Sequence, residues 1–533
     1  MIERCEGPDL LRAFWKAIEG VTVLDPTCGS GAFLFAALNI LEPLYETCLD
    51  RMEAFVADLE RSGEAHAPKK FEDFKATLAK VGAHPNARYF TLKSIILNNL
   101  FGVDIMEEAV EICKLRLFLK LAAQVDPDPK HENLGIEPLP DIDFNIRAGN
   151  TLVGYATYAE VEASATGDWI QQQELEQIKP RAADLQQAFD AFRARQVDAD
   201  GSVPLEDKIE LRKRLKALEE VLNLQLAKSY GLKADQPKPH QAWLGSHQPF
   251  HWFIEFYGIM NSGGFDVIVG NPPYVEFSRS KVNYQVKNFK TLPCDNLWVY
   301  SLERSVDILR ESGRISLITP LSLVSTARFG PAYNLLCSHA QHATFLTLAG
   351  DAHPSVLFAG VKMSYTIFTF SKGKSYPRNA QIYMTKLYRW LAVERENLFS
   401  MLEYSQALPH SSLSIPYKVG SGMAAGIVRK LQDRSQTIAI LARKRGVPLL
   451  YHRIVRHFVK ALFKAPYFRN ERDGEKKSDD YKVLHFEDPR TARLVRSFML
   501  SSTYYVYFVA LSDAYHCGRD LVSSFPVGID DLR

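Results

Sequence analysis

A chain of 533 residues is longer than one compact core accommodates, so two to four domains are expected. With 46% apolar and 24% charged residues and a net charge of +2, the composition is that of an ordinary globular protein, neither disordered nor fibrous. The seven cysteines are scattered without a CxxC pair, which argues for a reducing compartment and against structural zinc; no metal is expected. No apolar run reaches the roughly 20 residues that span a bilayer, and the opening "MIERCEGPDLLRAFW" mixes acids with bases, unlike a secretory leader. The expected location is cytoplasmic.

The first strand is "VTVLD" (21–25), followed by the turn "PTCGSG" and a helix from about Ala32 to Tyr45. Residues 46–92 read as polar and helical. "LFGVDI" (100–105) is the second strand, and "EEAVEICKLRLFLKLAAQ" (107–124) repeats apolar residues at helical spacing. "IDFNIRAGNTLVG" (142–154) supplies a third strand ending near Asn150. Between about 168 and 228, two long amphipathic helices flank "DADGSVP" and carry no evident chemistry. "FDVIVG" (265–270), "GRISLIT" (313–319), "ATFLTLAG" (343–350) and "KMSYTIFTF" (362–370) complete the strands, the last antiparallel.

This alternation predicts an α/β fold: a doubly wound, mostly parallel, seven-stranded, Rossmann-like sheet with helical insertions. After "SKGKSYPRN" (371–379) the alternation fades into a region rich in Tyr, Phe and Arg. The expected division is 1–160, a helical hairpin insertion at 161–245, 246–375, and a C-terminal α+β domain at 376–533. From Leu441 to Lys464 there are seven Lys/Arg and no Asp or Glu, a one-signed run that suits a polyanionic partner or a solvated face.

Three strand ends carry binding chemistry. Gly29 and Gly31 would let backbone approach a ligand closely, and Asp25 could accept a hydrogen bond from a ligand ammonium. The turn is not G-x-G-x-x-G and no lysine follows it, which speaks against a dinucleotide or a triphosphate. Asp104 suits either ribose hydroxyls or a helix N-cap. Asn150 suits either an adenine edge or a turn. At the fourth strand end, the consecutive prolines of "NPPY" (271–274) cannot continue a ladder, so the chain leaves the sheet there, presenting an amide and an aromatic ring.

Together, "DPTCGSGAFL", "GVDIMEEAVEICKLRLFL", "NIRAGNTL" and "GGFDVIVGNPPY" resemble the N6-adenine DNA methyltransferases, closest to the methylases of type IIG restriction–modification enzymes and of phage-exclusion systems. The resemblance runs from about residue 10 to 528. It implies a class I methyltransferase using S-adenosyl-L-methionine on double-stranded DNA, with other subunits of such a system as further partners. By this resemblance Asp25, Pro26 and the turn Cys28, Gly29 and Gly31 contact the methionine end of the cofactor. Asp104 and Ile105 contact its ribose side, and Asn150, where many relatives carry Asp, its adenine.

Asn271 and the Pro272 carbonyl would accept both N–H bonds of the target amine, with Pro272 and Pro273 stiffening the backbone. Tyr274 would stack on the extruded base, and Phe358 would either face it or belong to the core. The C-terminal region becomes a target recognition domain. There Arg453, Arg456, Lys460 and Lys464, at steps of 3, 4 and 4, would line one helical face and contact phosphates.

Two departures from the family pattern stand out. Only about 20 residues precede the first strand, without the Tyr-Thr-Pro-like segment that closes over the cofactor in relatives, and no PD…(D/E)xK nuclease pattern occurs. The alternatives are a non-catalytic DNA-binding or assembly subunit, and a methyltransferase for cytosine N4, RNA adenine or protein glutamine.

Overall fold

The structure is a computed structural model that describes residues 1–61, 71–130, 134, 139–164, 176–197, 204–232, 237–280, 282–350, 356–358, 360–373, 380–410, 413–467, 469–471, 474–475 and 480–528. Most of "DADGSVP" and of "SKGKSYPRN" lies outside them. The chain divides into two compact units, Met1–Leu317 and Ile318–Arg533.

In the first unit, α1 (Pro8–Gly20) leads into β1 (Val23–Asp25), whose three residues are all buried. Helix α2 (Ala32–Arg61) runs well past the expected end at Tyr45, through Pro43. Burial explains its length: Leu41, Tyr45, Cys48, Leu49, Met52 and Leu59 keep a helical period against the core. By composition α2 is long and apolar enough to cross a membrane, yet Leu34, Leu38 and Tyr45 are fully buried in the apolar core. After α3 (Glu72–Ala83), α4 (Ala87–Asn98) is capped by Asn86, whose side chain accepts from the Tyr89 amide. It begins inside the stretch expected to be polar, but every residue from Tyr89 to Leu97 is buried.

Strand β2 (Leu100–Asp104), α5 (Glu107–Ala122) and β3 (Ile146–Ala148) follow in the expected places. Two long helices, Ile178–Val197 and Leu205–Ser229, pack on each other and bury Leu185, Leu211, Leu218 and Leu222 in a second apolar cluster. Strand β4 occupies Phe265–Gly270, and β5 (Leu309–Pro320) runs across the division between the units. The strand order β3-β2-β1-β4-β5 is parallel throughout. This is the expected Rossmann-like α/β arrangement, with the order reversing beside β1, where such sheets open a ligand crevice.

The second unit holds β6 (Ala340–Leu348) and β7 (Tyr365–Lys372), antiparallel as expected. Two further strands extend the expected set of seven: β8 (Gln381–Tyr388) pairs parallel with β6, and β9 (Ser405–Gln406) antiparallel with β8. Downstream, Ala442–Arg443, Tyr481–Phe486, Val447–His452 and Ala461–Leu462 form a four-stranded antiparallel sheet. Tyr504, Tyr507, Phe508 and Phe525 are buried in the core of this region. The helix inferred from the spacing of Arg453, Arg456, Lys460 and Lys464 does not form. Residues 453–460 are instead a loop between two strands, held by backbone bonds to neighbouring segments.

Candidate active site

The carboxyl ends of β3, β2, β1 and β4 bring Asn150, Asp104, Asp25 and Asn271 to one edge of the sheet. Register fixes their order: Asp25 lies opposite Gly102, Asp104 opposite Ala148, and Leu24 opposite Ile268. The insertions between these strands leave that pairing undisturbed, so residues far apart in the chain converge.

Asp25 is 1% exposed, and its Oδ1 accepts the Thr27 amide at 3.0 Å. Burial raises its pKa to about 7 against the pull of the Thr27 bond, and the neighbouring Asp104 charge adds to the rise. The turn that follows is glycine-dependent: Gly31 has φ +84, and a Cβ there would stand 2.4 Å from Cys113 Sγ. Asp104 anchors the same turn, its Oδ2 accepting Gly29 N–H at 2.8 Å while Oδ1 accepts Met106 N–H at 2.9 Å. It is not the N-cap of α5, which is Met106, and each carboxylate oxygen keeps a lone pair for a ligand hydroxyl.

The Cys28 thiol is buried, and its hydrogen bond with Cys113, burial and the nearby carboxylates push its pKa up, so it stays neutral. Pro26 offers its carbonyl to Thr151 Oγ1 at 2.6 Å, which ties the β1 turn to the segment after β3. Ile105 is 39% exposed beside Asp104.

Asn150 is 2% exposed. Its Oδ1 accepts the Leu152 amide at 3.1 Å, yet among the described residues its Nδ2 has no partner, and neither has the buried Thr27 Oγ1. Two orphaned polar atoms beside a glycine turn and two carboxylates fit a polar, cationic ligand with a hydroxylated portion.

Asn271 follows β4 directly and is exposed, Pro272 behind it is buried, and Tyr274 is half-buried. The Tyr274 hydroxyl donates to Asn271 Oδ1, and the Val275 amide closes a tight turn on the Pro273 carbonyl at 3.0 Å. Beyond the turn the chain is strapped down: Val275 O accepts Leu297 N–H at 3.0 Å, and Asp295 Oδ1 accepts Ser278 N–H at 2.9 Å.

Two contributors to this geometry were not singled out from the sequence. Gly270 is the contact between the two halves of the site, since a Cβ on it would lie 2.8 Å from Asp25 Oδ1. A glycine closing a strand of β-branched residues is the signal that could have found it. Thr151 is the other, and nothing in its local sequence distinguishes it from a turn threonine.

The remaining candidates lie in the second unit. Phe358 sets its ring edge-on to Tyr365, with centroids 5.3 Å apart. Arg453 pairs with Asp480 at 2.9 Å, whereas Arg456, Lys460 and Lys464 are exposed.

The family of Eco57I restriction-modification methylases matches residues 98–341, a span that includes Asp104, Asn150 and Asn271. The DNA-methyltransferase domain of MmeI matches residues 2–164, which include Asp25 and the glycine turn. A Methanocaldococcus jannaschii protein named "Putative type II restriction enzyme and methyltransferase" is 26% identical over 366 residues, covering 61% of this chain and 28% of its own. The present chain thus spans under a third of that relative. Among solved structures, the type IIL restriction-modification enzyme MmeI in complex with DNA aligns with a TM-score of 0.37 at 10% identity, covering 97% of this chain and 63% of that one. The ATP-dependent type ISP enzyme LlaBIII bound to DNA aligns at 0.37 and 13% identity, covering 81% and 22%. The family matches bear out the resemblance read from the sequence: over residues 2–341 the chain is similar to the methylases of restriction–modification systems.

Proposed function

We propose that the chain transfers a methyl group from S-adenosyl-L-methionine to the N6 amine of an adenine extruded from double-stranded DNA, within a restriction–modification or phage-defence system. The observation that carries this reading is the exposed Asn271 at the end of β4, one residue from the Gly270–Asp25 contact. An acceptor for an amine thus stands beside a buried carboxylate suited to a ligand ammonium.

Bound S-adenosyl-L-methionine supplies an electrophilic sulfonium methyl group. The chain's residues supply position. Asp25 holds the ammonium of the methionine moiety, and that charge keeps its carboxylate ionised. Asp104 accepts from the ribose hydroxyls with the lone pairs left by Gly29 and Met106. Asn150 Nδ2, without a partner among the described residues, donates to a ring nitrogen of the cofactor's adenine.

An exocyclic amine is a poor nucleophile because its lone pair is delocalised into the ring. Asn271 Oδ1 and the Pro272 carbonyl, accepting its two N–H bonds, draw the nitrogen toward tetrahedral geometry and turn its lone pair toward the methyl group. To accept that amine, Asn271 Oδ1 exchanges the Tyr274 hydroxyl for the base. The Tyr274 ring remains to stack on the extruded purine, a contact worth roughly 1–3 kcal/mol.

Tritiated methyl transfer into duplex DNA tests the reading, with the label expected in N6-methyladenine and lost in Asn271→Ala. Label in cytosine, RNA or protein glutamine would assign one of the other acceptors. Calorimetry without any S-adenosyl-L-methionine binding would instead favour a DNA-binding assembly subunit.

A further inference from the structure

The one-signed run that suggested a helix builds a different object. Residues 453–460 form a loop between strands Val447–His452 and Ala461–Leu462, and its base is pinned on several sides. Val455 N–H donates to Tyr515 O at 2.8 Å, Arg453 N–H to Asp480 O at 2.8 Å, and His452 N–H to Lys460 O at 3.1 Å. Val455 and Val459 turn inward and are 2% and 7% exposed. Between these anchors, Arg456, His457 and Phe458 face outward. Phe458 is 79% exposed, so it contributes almost nothing to the core.

A cavity of about 530 Å³ opens beside the loop, lined by Arg456, His457, Phe458, Lys460 and Tyr515 among others. The carboxylate on its wall, Asp480, is already paired with Arg453. Arg456 and Lys460 have no carboxylate partner among the described residues. An aromatic ring held outward on a loop with a hydrogen-bonded base, beside cations that no described carboxylate pairs, has the complementarity of a nucleotide: cations for phosphate, ring faces for a base.

We propose that this cavity is a nucleotide subsite, in which Arg456 and Lys460 hold backbone phosphates and Phe458, with Tyr515, stacks on an unpaired base. The proposal rests on the reading that the chain acts on DNA and adds to it a base-capturing site on the loop at 453–460. The volume lies within the range of ligand clefts and suits one nucleotide.

The test measures fluorescence anisotropy of the full chain with a labelled oligo-dT strand, with the same strand made abasic and with a labelled duplex. Wild type is expected to favour the base-bearing strand by about ten-fold, the scale of one stacked base. Phe458→Ala should lose that preference while binding the abasic strand as wild type does. Arg456→Gln and Lys460→Gln should weaken both strands alike and lower the salt slope by about one each. Phe458→Ala with its base preference intact overturns the subsite and leaves the DNA reading standing. Wild type that binds neither strand nor duplex overturns the DNA reading itself, and the subsite with it. Because Phe458 is exposed, its removal leaves the fold intact, and circular dichroism of the variant verifies this.

Discussion

Asp25 gives the sharpest test of how the site is built. Its side chain is 1% exposed, and its pKa stands at about 7 against an ordinary 3.8. The direction fixes the sign of the linkage. The folded state holds this proton more tightly than the unfolded chain, so between pH 3.8 and about 7 stability falls as pH rises, and above that the cost is constant. A rise of this size corresponds to roughly 4 kcal/mol against the ligand-free protein at pH 8. Asp25→Asn keeps the acceptor for the Thr27 amide and removes the buried charge. It is therefore expected to stabilise the ligand-free protein by up to about 4 kcal/mol at pH 8 and by little near pH 4. The same variant should lose affinity for S-adenosyl-L-methionine, because the ammonium loses its counter-charge. Denaturant unfolding at the two pH values, paired with calorimetric titration of the cofactor, measures both. A stability difference independent of pH, or unchanged cofactor affinity, would refute the reasoning that this carboxylate is held at a cost for a cation.

Gly270→Ala places a methyl group 2.8 Å from Asp25 Oδ1, so overpacking should cost about 1–3 kcal/mol and weaken cofactor binding on the order of ten-fold, read by thermal unfolding and calorimetry. Asn271→Ala should bind the cofactor as wild type does but transfer methyl groups at least about 10²-fold more slowly in single-turnover assays. Tyr274→Phe removes the hydroxyl that occupies Asn271 Oδ1 but keeps the ring, so its KM for DNA should stay within a few-fold of wild type, whereas Tyr274→Ala should raise it by about ten-fold or more. Arg147 and Glu255 form a 2.5 Å ion pair whose side chains are 13% and 4% exposed. Arg147→Met removes the cation beside a carboxyl that burial and Glu219 already push toward its neutral form, so its destabilisation in urea unfolding should be small at pH 5 and grow toward pH 8.

The strand ends were legible because their signals are local. After Asp266, "VIVG" is apolar up to the point where two prolines must break the ladder, and β4 ends at Gly270, one residue before Asn271. Asp104 was legible as either of two things, and the structure finds it anchoring the glycine turn instead of capping α5, a role compatible with binding ribose hydroxyls. The spacing of Arg453, Arg456, Lys460 and Lys464 misled, because steps of three and four also occur where a loop turns between strands. Pairing of Val447–His452 with Tyr481–Phe486 and Ala461–Leu462 outweighs any helical preference there. The reading of 46–92 as polar and helical held for the helices but did not foresee burial in α4, where Thr91 is enclosed whatever its own polarity.

The amino-acid order by itself determined which residues end which strands, since proline, glycine and alternating apolar patterns act over a few positions. Only the tertiary structure decided what those ends mean to one another. That Asp25 is buried, that Gly270 touches its carboxylate and that Asn150 keeps an unanswered donor all follow from parallel register between segments that are distant in the chain. Burial and contact are properties of the assembled sheet, and no local stretch of chain contains the dielectric environment that its neighbours will impose.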